Sequence, residues 1–309
     1  MNYHYTYLLL NFFTILFPLL LSFDKKVNFY KKWKFILPGL FFTGLLYLVW
    51  DYIFTLNQVW SFNPNYLISI YFYGLPLEEI LFFITVPFSC IFIYECLLTY
   101  LKTDYLERIS SYINYFFIGF SLIMMWVYAD RLYSLINFST LFILMLYIQF
   151  RQRHLKMGKF YSAYLITLIP FYIINGVLTW LPVVKYNSTE IMGFRLGTIP
   201  FEDHFYSLSL FLINVLFYEH YKQKSSIQSL NIMELPIYTK NQLALRNGQD
   251  KPQIWVAWLG NIYDVTQSRL WRNGKHYEHW AGQDLTDELK DAPHGVAVFD
   301  KFEIVGKLG

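Results

Sequence analysis

An all-α polytopic membrane bundle of about seven helices, followed by a small α+β domain, is the fold class this sequence predicts. Three observations predict it. Only 15% of the 309 residues are charged and 21% are aromatic, against about 25% charged in ordinary soluble chains. The shortage of charge is confined to residues 1–221, while 222–309 has soluble composition. Apolar runs of membrane-spanning length recur through the first part, and short strand and turn signals fill the second.

A span needs about 20 mostly apolar residues, and the runs at roughly 5–23, 35–54, 78–100, 112–129, 133–150, 161–181 and 202–221 meet that need. The stretch 62–75 is apolar but broken by Asn63, Pro64, Asn65 and Gly74, so it reads as an interfacial or re-entrant segment. The N-terminus has no basic region and no small-residue cleavage pattern before Lys25, so the first run reads as a retained membrane helix. Cys90 and Cys96 lie six apart on one expected helix and cannot bridge, and no cysteine metal site is legible. A net charge of +3 without a basic, aromatic-interleaved run excludes nucleic acid as the partner class.

Basic residues set the expected orientation. "DKKVNFYKKWK" after the first helix holds five lysines, "RQRHLKMGK" at 151–159 holds four basic residues, and Lys102 and Arg108 mark a third loop. These loops are expected in the cytoplasm, with the N-terminus outside and the C-terminal domain inside a cell (inner) membrane.

The chain repeats itself. Residues 51–95 match 175–219 at an offset of 124 without a gap: Thr55 with Thr179, Asn63 with Asn187, Pro76 with Pro200, Glu78-Glu79 with Glu202-Asp203, Tyr94-Glu95 with Tyr218-Glu219. Asp51 falls opposite Asn175, and the basic loops 24–34 and 148–158 superimpose. Each repeat has three helices, so the additional helix at 112–129 restores the orientation of the second copy. Both acidic pairs then lie on the outer side, in a parallel repeat with its axis along the membrane normal.

"GLPLEEILFF" and "TIPFEDHFYS" carry those acidic pairs. Proline then glutamate is an ordinary helix start, since the carboxylate complements the helix dipole. Two features point beyond that: the motif is duplicated, and each copy has a polar partner, Asp51 or Asn175, near the end of the preceding helix. Ionisable residues at membrane depth are costly and mark function. A carboxyl in apolar surroundings holds its proton and serves as a general acid. Rings nearby in sequence (Phe72, Tyr73, Phe82, Phe83, Phe205 and Tyr206) offer faces that stabilise cations. A dry aromatic pocket with an acid suits protonation of an alkene and guidance of the carbocation, with a lipid as substrate. Glu95 and Glu219 lie about 25 Å down their helices and read as structural.

With their upstream Asp51 and Asn175, these paired Pro-x-Glu-Glu and Pro-x-Glu-Asp motifs closely resemble those of the membrane-integral lycopene cyclases, the kind found as two subunits or as fused halves. The resemblance covers roughly residues 5–221. It implies non-redox cyclisation of the open ψ-ends of lycopene to β-ionone rings, with no cofactor required, and a lipid-soluble carotenoid as substrate. It implies catalytic roles for Glu78, Glu79, Glu202, Asp203, Asp51 and Asn175, with Phe82, Phe83, Phe205 and Tyr206 against the substrate. Which carboxylate gives the proton, which group removes the last one, the ring type and the C40 or C50 length stay open. On this reading Glu78→Gln and Glu202→Gln are expected to suppress cyclisation.

Domain limits are expected at 1–224 for the bundle (repeat 1 at about 5–100, linking helix 112–129, repeat 2 at about 133–221), 225–235 for a linker and 236–309 for the tail. In the tail, "IYTKNQLALRNG" reads as a short helix capped by Thr239, and "QIWVAWLGNIYDVT" as two strands around Leu259-Gly260-Asn261. "YDVT", "AGQDLT" and "APHG" resemble the cytochrome b5-like haem/steroid-binding domain. That resemblance implies haem b, with His276 and His294 as axial ligands to its iron and Tyr277 or His279 as alternatives; a haem-free domain of this fold is the bland reading. Other carotenoid-pathway enzymes or a redox partner are the partners it allows. A membrane-anchored haem, redox or lipid-binding protein without cyclase activity is the rival function, and a transporter the third. The spans contain no internal histidine, which argues against haem in the bundle.

Overall fold

The structure is a computed structural model that describes residues 3–152, 155–233, 235–288, 299 and 301–309. Contacts divide the chain into two compact units, Met1–Lys222 and Gln223–Gly309.

Among the described residues, six long helices lie within the first unit and a seventh begins in it and runs past Lys222: α1 (Thr6–Leu21), α2 (Trp33–Leu56), α3 (Leu77–Tyr100), α4 (Glu107–Val127), α5 (Leu132–Arg151), α6 (Met157–Trp180) and α7 (Glu202–Met233). Among the described residues, five helical stretches are long and apolar enough to cross a membrane: Phe29–Leu56, which contains α2, and α3 to α6. The other two fall short for different reasons. α1 has 16 residues, about 24 Å of helix. α7 opens on two acids and becomes polar beyond Tyr218. α7 also continues through most of the stretch expected as a linker, because no helix breaker occurs before Pro236. Apolar side chains such as Leu37, Phe41 and Leu45 of α2 stand more than half exposed in a stripe of i, i+4, i+8 spacing. Acyl chains would cover such a face, as in other apolar helices that span a membrane.

The segments before α3 and α7 are not helical. Each is a short ribbon, a turn and a hairpin. β1 (Trp60–Phe62), β2 (Tyr71–Phe72) and β3 (Leu75–Pro76) precede α3; β4 (Val184–Tyr186), β5 (Arg195–Leu196) and β6 (Ile199–Pro200) precede α7. The hairpins β2–β3 and β5–β6 sit at the same offset of 124. The first turns on Tyr73 and Gly74, both at positive φ, and the second on Gly197 at φ +64; tight hairpins need such residues. Asn63 and Asn187 each accept from the backbone N–H two residues on, a shared local turn.

The two repeats meet about a local two-fold. β1 pairs antiparallel with β4, and the central pair, Ser61 with Lys185, joins equivalent positions of the two copies. At the far end of α3 and α7 the exchange recurs. Tyr218 donates its hydroxyl to Glu95, and Tyr94 stands beside Glu219 at the equivalent position. Their rings lie 6.5 Å apart at 88°. Self-complementary contacts of this kind occur where a two-fold passes, and here they occur at both ends of the same helices. Buried Glu95 also takes the ammonium groups of Lys32 and Lys222, the latter at 2.6 Å, so it serves as a tie, away from the acids at the helix heads.

The second unit is α+β. Strands β7 (Ile237–Tyr238), β8 (Trp255–Trp258), β9 (Asn261–Asp264) and β12 (Glu303–Leu308) form one sheet in the order β7-β12-β9-β8. β8 and β9 form a hairpin whose turn, Leu259-Gly260, has both residues at positive φ. α8 (Lys240–Ala244) begins with a capping box between Thr239 and Gln242. Two short strands, β10 (Lys275–His276) and β11 (His279–Trp280), form a separate hairpin. Val256, Val265, Trp271, Leu285 and Phe299 fill a core.

Candidate functional site

The hairpins deliver the acidic pairs to the first turns of α3 and α7, and neighbouring helices then hold them. Consecutive helical residues point about 100° apart, so the two acids of a pair face different surroundings. Glu78 and Glu202 turn back to the preceding loops. Glu78 accepts the backbone N–H of Ile68 at 2.7 Å. Glu202 accepts that of Met192 and the hydroxyl of Ser134, the latter at 2.8 Å. Both side chains are fully buried. The backbone carbonyl of each is gripped by an asparagine from the first helix of its own repeat, Asn11 at 2.9 Å and Asn137 at 2.6 Å.

Glu79 and Asp203 face inward instead. Tyr7 donates to Glu79 Oε2 at 2.5 Å, and Tyr133 donates to Asp203 Oδ1 at 2.6 Å. Asp203 has a second phenol, Tyr186, on Oδ2 at 2.9 Å. Burial, with Asp203 beside it, pushes the Tyr186 phenol up, so it stays a neutral donor. Among the described residues, no hydrogen bond occupies the other oxygen of Glu79.

Glu79 and Asp203 line one small cavity of about 70 Å³, with Trp60, Tyr133, Tyr186 and Tyr206 around them. A larger cavity of about 490 Å³, almost wholly apolar, lies between α1, α3, α6 and α7. The two adjoin, because Val86, Phe171, Asn175, Ser207 and Leu210 line both. A greasy passage thus ends at two carboxyl groups, one from each repeat. Its volume is in the range of cavities that hold small molecules, about 300–1,000 Å³.

The remaining expected residues separate. Asn175 stands where the cavities join. Asp51 lines neither; its Oδ1 accepts the indole N–H of Trp60 at 2.5 Å, so it positions a wall of the small cavity. Phe82 and Tyr206 line that cavity. Phe83 is buried against Tyr47. Phe205 packs into the helix core with Phe120 and Phe138, at 5.2 Å from each ring. Phe72 and Tyr73 stand exposed at a hairpin. Tyr7, Tyr133, Tyr186, Trp60, Asn11 and Asn137 are the site residues that sequence reasoning missed. A signal existed: Tyr-x-x-x-Asn occurs in both first helices, as Tyr7 to Asn11 and Tyr133 to Asn137.

The sequence model of the lycopene cyclase family matches residues 4–97 and 130–221, together more than half of the chain. The chain belongs to the lycopene cyclase family. The two matched stretches contain the two repeats of this cyclase-family protein, and the unmatched stretch between them contains α4. A second family, the cytochrome b5-like heme/steroid binding domain, matches residues 239–309, so a b5-like domain follows the cyclase bundle. Two solved structures are similar over that domain. A cytochrome b5 domain protein of Hadesarchaea YNP_N21 is 42% identical, with 24% of this chain and 100% of that chain covered and a TM-score of 0.24. One of Methanococcoides burtonii is also 42% identical, over 24% and 96%, with a TM-score of 0.23. No curated protein matches the chain.

In the b5-like domain of this cyclase-family chain, His276 would be one ligand of a haem. Its Nδ1 donates to the Leu270 carbonyl at 3.1 Å, which sets the proton on Nδ1. His279 does not fit as its partner. The two are cross-strand neighbours in one short hairpin, and axial ligands must approach iron from opposite faces. Tyr277 is 80% exposed. His294 lies outside the described residues. No cluster of three or more potential metal ligands occurs among those described.

Proposed function

We propose that the bundle closes the open ψ-ends of lycopene into β-ionone rings, an isomerisation that needs no cofactor. The carrying observation is that Glu79 and Asp203 face one aromatic cavity at the end of an apolar passage. Glu79, with one oxygen unengaged, donates a proton to the terminal double bond of the polyene. A tertiary cation forms, and the nearby internal double bond attacks it to close a six-membered ring. The cation moves to the ring carbon beyond the new bond. Loss of one proton then restores a double bond and neutrality, so the atoms of substrate and product are the same. Asp203, whose two oxygens both accept from phenols, is the carboxylate that faces the cation and receives the last proton. Trp60, Tyr133 and Tyr206 present ring faces that stabilise the cation and keep out water that would trap it.

The orientation goes with this reading: the helix heads with their acids lie toward the outside of the inner membrane, and the b5-like domain lies in the cytoplasm. In that domain haem b, when bound through His276, supplies one-electron chemistry, and no step of the cyclisation passes through it. Expression of the chain in lycopene-accumulating bacteria tests the function. Conversion to β-carotene or a monocyclic carotene is expected; unchanged lycopene, with the protein present in the membrane, overturns it.

A further inference from the structure

The repeats build two equivalent approaches to the acids, and among the described residues one is open while the other is packed shut. The open approach is the large cavity beside α6. Phe171 and Ile174 on α6 and Ser207 on α7 line it. At the offset of 124, their counterparts beside α2 are Tyr47, Trp50 and Phe83. Those three are bulky and packed together. Tyr47 and Phe83 are 0% and 1% exposed. The Tyr47 ring lies 5.3 Å from Trp50, 6.0 Å from Phe83 and 5.0 Å from Tyr206. The same contrast holds further along the helices. Cys90 and Ile93 line the open cavity. Their counterparts Asn214 and Phe217 instead close on Gly39, where even a Cβ would stand 3.1 Å from Phe217.

The open approach leads to the bilayer. Phe13 and Phe17 of α1 and Ile173 of α6 line it, and each is more than half exposed on the apolar outer surface. The cavity holding both acids is small, about 70 Å³. It accommodates one chain end at a time.

We infer that the chain processes one end of its carotenoid per binding event. The end slides in sideways between α1 and α6, while Tyr47, Trp50 and Phe83 close the equivalent route. A linear, symmetric polyene must therefore leave and re-bind in reverse to receive a second ring, and the one-ringed carotene is released in between. This inference rests on the cyclase reading above.

A time course on the purified full-length chain in lycopene-loaded liposomes tests it, with lycopene in at least twentyfold excess over protein. One-ringed product is expected to make up nearly all of the early product, with two-ringed product lagging or absent. Two-ringed product formed from the start in constant proportion overturns the inference while leaving the cyclase reading intact. Absence of any ring removes the cyclase reading itself. A second arm uses Cys90→Phe, which places a ring across the open passage far from the acids. In protein with the wild-type thermal midpoint, kcat/KM is expected to fall at least tenfold. An unchanged value shows that the substrate arrives by another route and overturns the inference.

Discussion

Glu79→Gln and Glu78→Gln differ by one position in sequence and are expected to differ greatly in effect. Glutamine at 79 keeps the volume and can still accept the Tyr7 hydroxyl, which lies 2.5 Å from the carboxylate. It loses only the transferable proton and the charge. General acid catalysis is worth about 10²–10⁴ in rate, or roughly 2.7–5.4 kcal/mol at about 1.36 kcal/mol per tenfold. Glutamine at 78 still offers an oxygen to the Ile68 N–H, 2.7 Å away. It exchanges a charge-assisted hydrogen bond for a neutral one, a stability cost of about 1 kcal/mol. Its kcat/KM is expected within about threefold of wild type, under 1 kcal/mol on the barrier. The assay is the initial rate of ring formation by purified protein in lycopene-loaded liposomes, resolved by chromatography, with a thermal midpoint for each variant. The sequence-based expectation is that Glu78→Gln and Glu202→Gln suppress the reaction, and this comparison decides between the two. The reasoning is refuted by an inactive but folded Glu78→Gln, or by a Glu79→Gln that turns over at the wild-type rate.

Three further outcomes follow from the same geometry. Glu95→Ala strands two lysines and one phenol. Breaking a buried pair on one side costs about 3–5 kcal/mol, and the cost here is smaller because the lysine side chains are 25% and 32% exposed. A lowered melting midpoint with unchanged kcat in the folded fraction is expected; a loss of kcat without loss of stability contradicts the structural role. A chain ended after Leu235, beyond the end of α7 at Met233, is expected to retain cyclisation, measured by pigment extraction. His276→Ala is expected to abolish any Soret band of the full-length protein while leaving ring formation alone, and an unaltered band excludes His276 as a ligand.

The helices were legible because a membrane imposes length and apolarity on the sequence, but the ribbons and hairpins were not: 62–75 read only as an interfacial or re-entrant segment, and only the structure shows strands there and at the offset of 124. Other features were not legible, for identifiable reasons. Tyr7 and Asn11 correspond to Tyr133 and Asn137 at an offset of 126, so an ungapped comparison at 124 separates them; the two-residue difference falls between α1 and the basic loop. The division of labour within each acidic pair follows from 100° per helical residue, but only the structure shows which direction holds the cavity. Trp60 and Asp51 meet because the chain reverses after α2, and composition carries no trace of that. Phe83 and Phe205 sit one residue from Phe82 and Tyr206, and the same rotation sends them into packing instead of the cavity.

Duplication brings two equivalent carboxyl groups to one cavity, yet in the proposed mechanism acid and base must differ, and one residue of each ribbon would account for the difference. Tyr186 in β4 occupies the position that Phe62 holds in β1, at the offset of 124, and both line the small cavity. Tyr186 gives Asp203 a second phenol at 2.9 Å. Phe62 has no hydroxyl to give Glu79, which keeps an oxygen free for the proton it would deliver in the proposed mechanism. Phe62→Tyr should therefore slow protonation, because a new phenol competes for that oxygen. A hydrogen bond to a charged or reacting carboxyl is worth about 1.5–3 kcal/mol, so the expected loss is roughly ten- to a hundredfold in kcat. Tyr186→Phe frees an oxygen of Asp203 and weakens its hold on the last proton, with a loss of similar size. If the two acids were interchangeable, the double exchange Phe62→Tyr with Tyr186→Phe would restore the wild-type rate by reversing their roles. If substrate enters from the α6 side alone, as inferred above, the reversed pair would face the polyene from the wrong direction. Full recovery in the double variant would therefore count against both the assignment of acid and base and the single open passage.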